Sequence, residues 1–361
     1  MSPAAAAARA GDADAGPVAR PIRLLVVDDS AVARAVLSRM LAAQPDFHVV
    51  AEASSAGEAL ERLAVTRVDL ILLDVEMPGT TGLDALPRLL AAGRGARVLV
   101  VSCLCEDGAE ATVRALGLGA ADTLPKPGAQ NFGGRFSAVL AERIRRLAEP
   151  APVEPPAPAS VPLRRPSEAR LGCVALGAST GGLHAIGELL KALPPRIGAP
   201  ILVAQHLPAL FMPFFARQLE SLSGRAVRVA EEGIPLKPDE ILLAPGDAHL
   251  SLQRRGGKVI AILDPAPAPS GCLPSVDVTL EAVAAIYGRA GLGVVMSGMG
   301  RDGLAGARAL AAKEGEILVQ DRASSAVWGM PRAVAEAGLA AAILPPAELA
   351  ARIAERAGAE S

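Results

Sequence analysis

The sequence predicts two α/β units in tandem: a doubly wound five-stranded parallel sheet, then a unit with a mainly parallel sheet and an antiparallel excursion. Three observations carry this. Short aliphatic runs alternate with amphipathic stretches of helical period along most of the chain. A proline-rich break interrupts the alternation once, over residues 149–170. The length, 361 residues, corresponds to two domains of roughly 100–200 residues each.

In the first unit the aliphatic runs are Leu24–Val27, Val49–Val50, Leu70–Leu73 and Val98–Val101, with a weaker one at Thr123–Leu124. Between them lie patterns such as Val32, Val36, Leu37, Met40 and Leu41, spaced to line one helix face. Strands that are apolar throughout and separated by helices imply a parallel sheet covered on both faces. The chain therefore divides into a disordered tail (1–21), a first unit (22–148), an extended linker (149–170) and a second unit (171–361). In the second unit a strand at Cys173–Leu176 leads into a helix carrying Leu183, Ile186, Leu189, Leu190 and Leu193. Ile201–Ala204 is the next strand. The short runs Val227–Ala230, Ile241–Leu243, His249–Leu252 and Val259–Leu263, separated by Gly, Pro and Asp, suggest the antiparallel excursion. A helix around Val276–Ile286, strand Leu292–Met296, a helix from Leu304 and strand Ile317–Val319 restore the alternation.

Composition removes several function classes. Aromatics are 2% and the net charge is −2, which gives neither stacking rings nor a basic surface for nucleic acid. No apolar run reaches the roughly 20 residues of a membrane span, and the first 20 residues lack the apolar centre of a signal peptide. The four cysteines, Cys103, Cys105, Cys173 and Cys272, have no paired zinc spacing and read as reduced thiols of a cytoplasmic protein.

Chemistry-bearing residues gather at expected strand ends. Asp28 and Asp29 close the first strand and Asp74 the third. Ligands of open α/β sheets bind at the carboxyl ends of the strands, so three carboxylates share one rim and call for a hard cation such as Mg²⁺. Ser102 ends the fourth strand and Lys126 follows the fifth; a hydroxyl and an ammonium there suit an acyl phosphate on Asp74. The segments LLVVDDS, LILLDVEMPGTTGLDAL, VLVVS and LPKP resemble the response-regulator receiver family. The resemblance implies phosphorylation of Asp74 by a sensor histidine kinase, Mg²⁺ held by Asp28, Asp29 and Asp74, and Ser102 and Lys126 as the phosphate-binding switch pair. Thr123 stands where receivers often carry an aromatic switch residue.

In the second unit Gly177–Gly182 (GASTGG) joins a strand to a helix and fits G-x-S-x-G, whose small residues expose a serine hydroxyl on a sharp turn. The N–H of Thr180 and the helix N-terminus would face an oxyanion. Such turns also cradle phosphates, which keeps a receiver-regulated nucleotide-binding protein as the alternative. Against it, no Lys follows the glycines and no acidic residue stands at the ribose position. His206 follows the next strand, on the rim where Ser179 lies, as a candidate base. His184 and His249 have ordinary structural readings. Asp302, in the Gly-rich turn SGMGRDG, is either a helix N-cap or the carboxylate that orients His206. No cofactor is needed for such chemistry.

The segments LGASTGG, VAQHLP, IPLKPDEILLAPGDAHL, LPSVDV, SGMGRDG and QDRASSAVWGMPRAV resemble the catalytic domain of the chemotaxis protein-glutamate methylesterases, the CheB family. The resemblance implies hydrolysis of glutamyl methyl esters, and deamidation of glutamines, on methyl-accepting chemoreceptors. It implies Ser179 as nucleophile, His206 as base, Asp302 as its orienting acid, and the Met299 N–H as part of the oxyanion hole. Cys272-Leu273 stands where His-Arg is common in that family.

Overall fold

The computed structural model describes residues 20–102, 106–126, 134–148 and 162–359. Most of the expected tail and linker, Cys103, Cys105 and the Ser102 side chain lie outside the described residues.

The first unit runs β1 (Ile22–Val27), α1 (Ala31–Ala42), β2 (Phe47–Ala53), α2 (Ala56–Val65), β3 (Leu70–Asp74), α3 (Gly82–Ala92), β4 (Arg97–Ser102), α4 (Glu106–Gly117), β5 (Asp122–Pro125) and α5 (Gly134–Ala148). Its five strands are parallel in the order β2-β1-β3-β4-β5. Leu24–Val27 and Leu70–Leu73 are buried on both faces, the reason these runs are continuous rather than alternating. Ser30, Ser55 and Thr81 accept N–H bonds at the starts of α1, α2 and α3, so each helix begins where a short polar side chain satisfies its first donors.

The second unit runs β6 (Cys173–Ala178), α6 (Gly182–Ala192), β7 (Ile201–Gln205), α7 (Met212–Ser223), β8 (Val227–Val229), β9 (Ile241–Leu243), β10 (His249–Arg255), β11 (Lys258–Asp264), α8 (Val276–Tyr287), β12 (Gly291–Val295), α9 (Leu304–Ala312), β13 (Glu316–Gln320), α10 (Met330–Glu336), β14 (Ala342–Leu344) and α11 (Pro346–Ala357). Seven strands form a parallel sheet in the order β14-β13-β12-β6-β7-β9-β8. The antiparallel excursion is narrower than the run of short strands suggests. Among the described residues β10 and β11 are the antiparallel strand pair, with one isolated antiparallel bridge, Pro235 to Ile260, beside them, while β8 and β9 extend the parallel sheet because apolar Ile241–Leu243 is buried beside β7. Residues 162–170 lie against the second unit, Arg164 N–H donating to the Ala340 carbonyl at 2.8 Å and Ser167 Oγ to the Arg289 carbonyl at 2.9 Å.

Chain order reverses between β1 and β3 in the first sheet and, at the centre of the second, between β6 and β12. Strands on either side of such a point send their following connections to opposite faces, leaving a crevice at their carboxyl ends. The two units also share a buried apolar cluster that includes Val113 and Leu116 of α4 with Ile186 of α6 and Phe215 of α7. Across this seam the Gly181 N–H donates to the Ala121 carbonyl at 2.9 Å, His184 Nδ1 to the Gly117 carbonyl at 2.9 Å, and Arg97 to the Ser325 carbonyl at 3.2 Å.

Candidate active site and phosphoacceptor site

At the first reversal, Asp28, Asp29 and Asp74 each offer a carboxylate oxygen within 4.8 Å of the others. Lys126 Nζ donates to Asp28 Oδ2 and Asp74 Oδ2, both at 2.7 Å. Burial raises the Asp74 pKa; the Lys126 hydrogen bond opposes this and the Asp28 charge adds to it, leaving a net rise. Burial disfavours the Lys126 ammonium, but its bonds to the two aspartates outweigh this and raise its pKa. One ammonium against three carboxylates leaves excess negative charge on hard oxygen donors, a set that fits Mg²⁺. Ser102 closes β4 in register with Pro125, which puts its backbone on the same rim.

At the second reversal, Ser179 follows β6 and His206 follows β7. Ala178 pairs with Gln205, and the His206 N–H donates to the Ala178 carbonyl at 3.2 Å, so the two side chains leave neighbouring strand ends. The Ser179 turn is held from below: its N–H donates to the Ser297 carbonyl at 2.9 Å, its carbonyl accepts from Gln205 Nε2 at 2.9 Å, and Ser297 Oγ donates to the Thr180 carbonyl at 2.8 Å. Two glycines make this tightness feasible. Gly181 has φ +74°, and a Cβ there would run into Ala326; at Gly298 a Cβ would lie 2.9 Å from the Ser179 Cβ. Among the described residues, neither the Thr180 nor the Met299 backbone N–H has a hydrogen-bond partner, leaving two donors open beside the serine.

His206 Nε2 and Asp302 Oδ2 are 2.7 Å apart, with side-chain exposures of 17% and 2%. Asp302 does not cap α9, the helix that follows it. It reaches instead to the start of α8, accepting Val276 N–H at 2.7 Å, Asp277 N–H at 3.2 Å and Ser275 Oγ–H at 2.7 Å. Burial would raise its pKa, but His206 and these donors hold the carboxyl well below the usual carboxylate range. Burial pulls His206 down, yet the hydrogen bond to Asp302 and the neighbouring Cys272 sulfur prevail and lift it to about 9. His249 sits behind this: its Nδ1 accepts the Ser275 N–H at 2.9 Å and its Nε2 donates to the Ala266 carbonyl at 2.8 Å, fixing one neutral tautomer.

The structure thus brings Ser179, Thr180, His206, Met299 and Asp302 to one rim and Asp28, Asp29, Asp74 and Lys126 to another. Gln205, Ser275, Ser297 and His249, which support the second rim, carry no functional signal in the sequence. PSVD around Ser275 was legible only as part of a family segment. Among the described cysteines, Cys173 is a buried free thiol whose pKa burial raises, whereas Cys272 is free and partly exposed at the edge of the His206 site.

Comparison with known proteins covers both units. The CheB methylesterase family matches residues 174–353, and the response regulator receiver domain matches 24–132. The protein-glutamate methylesterase/protein-glutamine glutaminase 2 of Caulobacter vibrioides is 43% identical over 93% of this chain and 99% of its own length. The Nocardioides protein-glutamate methylesterase/protein-glutamine glutaminase is 40% identical over 93% of this chain and 95% of its own. The crystal structure of the Thermotoga maritima CheB methylesterase catalytic domain superposes with TM-score 0.50 at 36% identity, covering 52% of this chain and 99% of that domain. With a receiver domain in front of the matching catalytic domain, this chain belongs to the CheB methylesterase family.

Proposed function

We propose that this chain is a phosphorylation-activated protein-glutamate methylesterase and protein-glutamine glutaminase acting on methylated chemoreceptors. The observation that carries the reading is the His206–Asp302 pair at the β6/β12 reversal, beside Ser179 and two unpartnered N–H groups. Residues 22–148 form the receiver, 149–170 the linker and 171–361 the esterase.

The chemistry follows from the geometry. With His206 Nε2 committed to Asp302, Nδ1 is the nitrogen left to take a proton. Ser179 Oγ attacks the ester carbonyl carbon as its proton passes to Nδ1, and the oxyanion accepts the Thr180 and Met299 N–H bonds. Collapse of the tetrahedral adduct breaks the C–O bond, and His206 returns the proton to the departing methanol, or to ammonia when a glutamine is the substrate. Water then attacks the acyl-serine, its proton going to His206, and the glutamate carboxylate leaves as Ser179 recovers its hydrogen. Asp302, held anionic by the α8 N-terminus, orients the ring and stabilises its charged form.

The receiver supplies control. Mg²⁺ would be held by Asp28, Asp29 and Asp74, where it offsets phosphoryl charge, and a sensor histidine kinase is the phosphodonor. Lys126 now ties Asp28 to Asp74; a phosphoryl group on Asp74 competes for it and for Ser102 at the end of β4. The next element, α4, packs against α6 and α7, and the Gly181–Ala121 bond lies two residues from Ser179. Repacking at this seam shifts the balance between a covered and an open serine turn. The setting is cytoplasmic, without nucleic acid or membrane insertion; among the described residues no helix is long and apolar enough to cross a membrane.

Methanol release from methylated receptor tests the reading, with full-length protein, its Ser179→Ala variant, and each with and without a small phosphodonor and Mg²⁺. Release by the native chain that rises with phosphodonor and vanishes in the variant is expected. Near-normal release by Ser179→Ala would sink the serine mechanism.

A further inference from the structure

We propose that His206, Cys272 and Asp302 form a binding site for a borderline-soft divalent cation, zinc first among them, whose occupancy switches the esterase off. The inhibitory part rests on the reading of His206 as the base.

Cys272 lies in the connection between β11 and α8, three residues before Ser275, whose hydroxyl holds Asp302 at 2.7 Å. The same short segment therefore carries a partly exposed free thiol and anchors the carboxylate. One donor atom from each of His206, Cys272 and Asp302 lies within 4.8 Å of the other two. Zinc bonds of about 2.0–2.3 Å place neighbouring ligand atoms of a tetrahedral site roughly 3.3–3.8 Å apart. His206 Nε2 and Asp302 Oδ2, now 2.7 Å apart, open by roughly half an ångström or more to admit the ion, and the partly exposed thiol moves by at most about an ångström to close the third side, while the buried carboxylate stays in place.

The donor types decide the metal. Imidazole, thiolate and carboxylate together suit zinc, and the sulfur disfavours Mg²⁺ and Ca²⁺. The receiver cluster of Asp28, Asp29 and Asp74 offers oxygen alone, so the two clusters sort different ions. Orientation is already provided: Asp302 is fixed by Val276 N–H, Asp277 N–H and Ser275 Oγ–H, the outer-shell support that metal-binding carboxylates need. Three protein ligands leave a fourth position for water. An imidazole nitrogen bound to zinc, and the Asp302 oxygen drawn to it, no longer serve proton transfer from Ser179.

The test uses full-length protein, chelator-treated and kept reduced by a phosphine, with Mg²⁺ in excess to occupy the receiver. Titration with Co²⁺ should give a thiolate-to-cobalt charge-transfer absorption that saturates near one equivalent, is displaced by Zn²⁺, and is absent in Cys272→Ala. Zn²⁺ should suppress methanol release, with half-inhibition moving upward about tenfold or more in Cys272→Ala, each protein normalised to its own chelated rate. No thiolate band in the native chain, equal zinc sensitivity of the two proteins, or stimulation by zinc overturns the proposal. If the chelated native protein releases no methanol, the esterase reading fails, and the cobalt band alone still decides the metal site.

Discussion

The two rims of this protein are built at equivalent places, the order reversal of a parallel sheet, yet they handle charge in opposite ways. The receiver rim gathers three carboxylates against one lysine, and burial together with the Asp28 charge leaves the Asp74 pKa raised. Such a donor set fits a hard cation, and its balance changes when charge is added. The second rim pairs one buried carboxylate with one imidazole and satisfies the carboxylate through the start of α8. It is close to balanced in the chain itself. The contrast teaches that fold position selects where chemistry occurs, while the local count of donors and charges selects which chemistry.

The comparison breaks most visibly at Ser179. Ser179→Ala is expected to lower methanol release by at least ~10³-fold with the circular dichroism spectrum unchanged, because the hydroxyl is part of the reaction and not of the packing. A loss below tenfold would place the nucleophile elsewhere. Asp302→Asn comes next, with a loss of about 10²–10⁴-fold in kcat, since an amide cannot stabilise the imidazolium and must present an NH₂ among the donors of Ser275, Val276 and Asp277. Retention of full kcat would mean that His206 needs no partner.

The balance of the second rim also sets its pH dependence. With His206 held up at about 9, most of the imidazole is protonated at neutral pH and cannot accept the serine proton. Neutral base grows as pH rises, about fifty-fold between pH 7 and pH 9, so kcat/KM should climb through that window and level off above it. A profile already flat from pH 7 would show that Asp302 and Cys272 do not hold the proton on His206. On the first rim, Asp74→Asn should abolish incorporation of label from a small phosphodonor, and Asp29→Ala should weaken its Mg²⁺ dependence. Label retained by Asp74→Asn would move the acceptor.

The smallest expected effect tests the seam between the two rims. Residues 165–361 alone should hydrolyse ester several-fold faster than unphosphorylated full-length protein, and phosphodonor with Mg²⁺ should narrow the gap. The reason is local: Ala121 of the receiver accepts the Gly181 N–H beside the serine turn, and Gly117 accepts from His184. A fragment no faster than the full chain would mean that the receiver does not cover the site.

Much of this was legible in the sequence because it is periodic or local. Apolar runs such as Leu70–Leu73 announce strands buried on both faces; of the proline-rich stretch expected to separate the units, the described part, 162–170, lies against the second unit. Asp28, Asp74, Ser179 and His206 declare themselves by following such runs, since strand ends in parallel sheets are where sites form. Tertiary structure alone decided the partners reached over long sequence separations. Asp302 could be read as the cap of its own helix, but its carboxylate joins His206 and the start of α8, because β12 lies beside β6 and brings the turn after it under α8. His249 and Ser275 look like any strand histidine and turn serine; only the fold stacks them behind that carboxylate. Cys272, a departure from its relatives' pattern on paper, becomes a neighbour of His206 only once the β11–α8 connection folds over the rim. Periodicity records which face of an element is buried, and it carries no information about which distant side chain waits there.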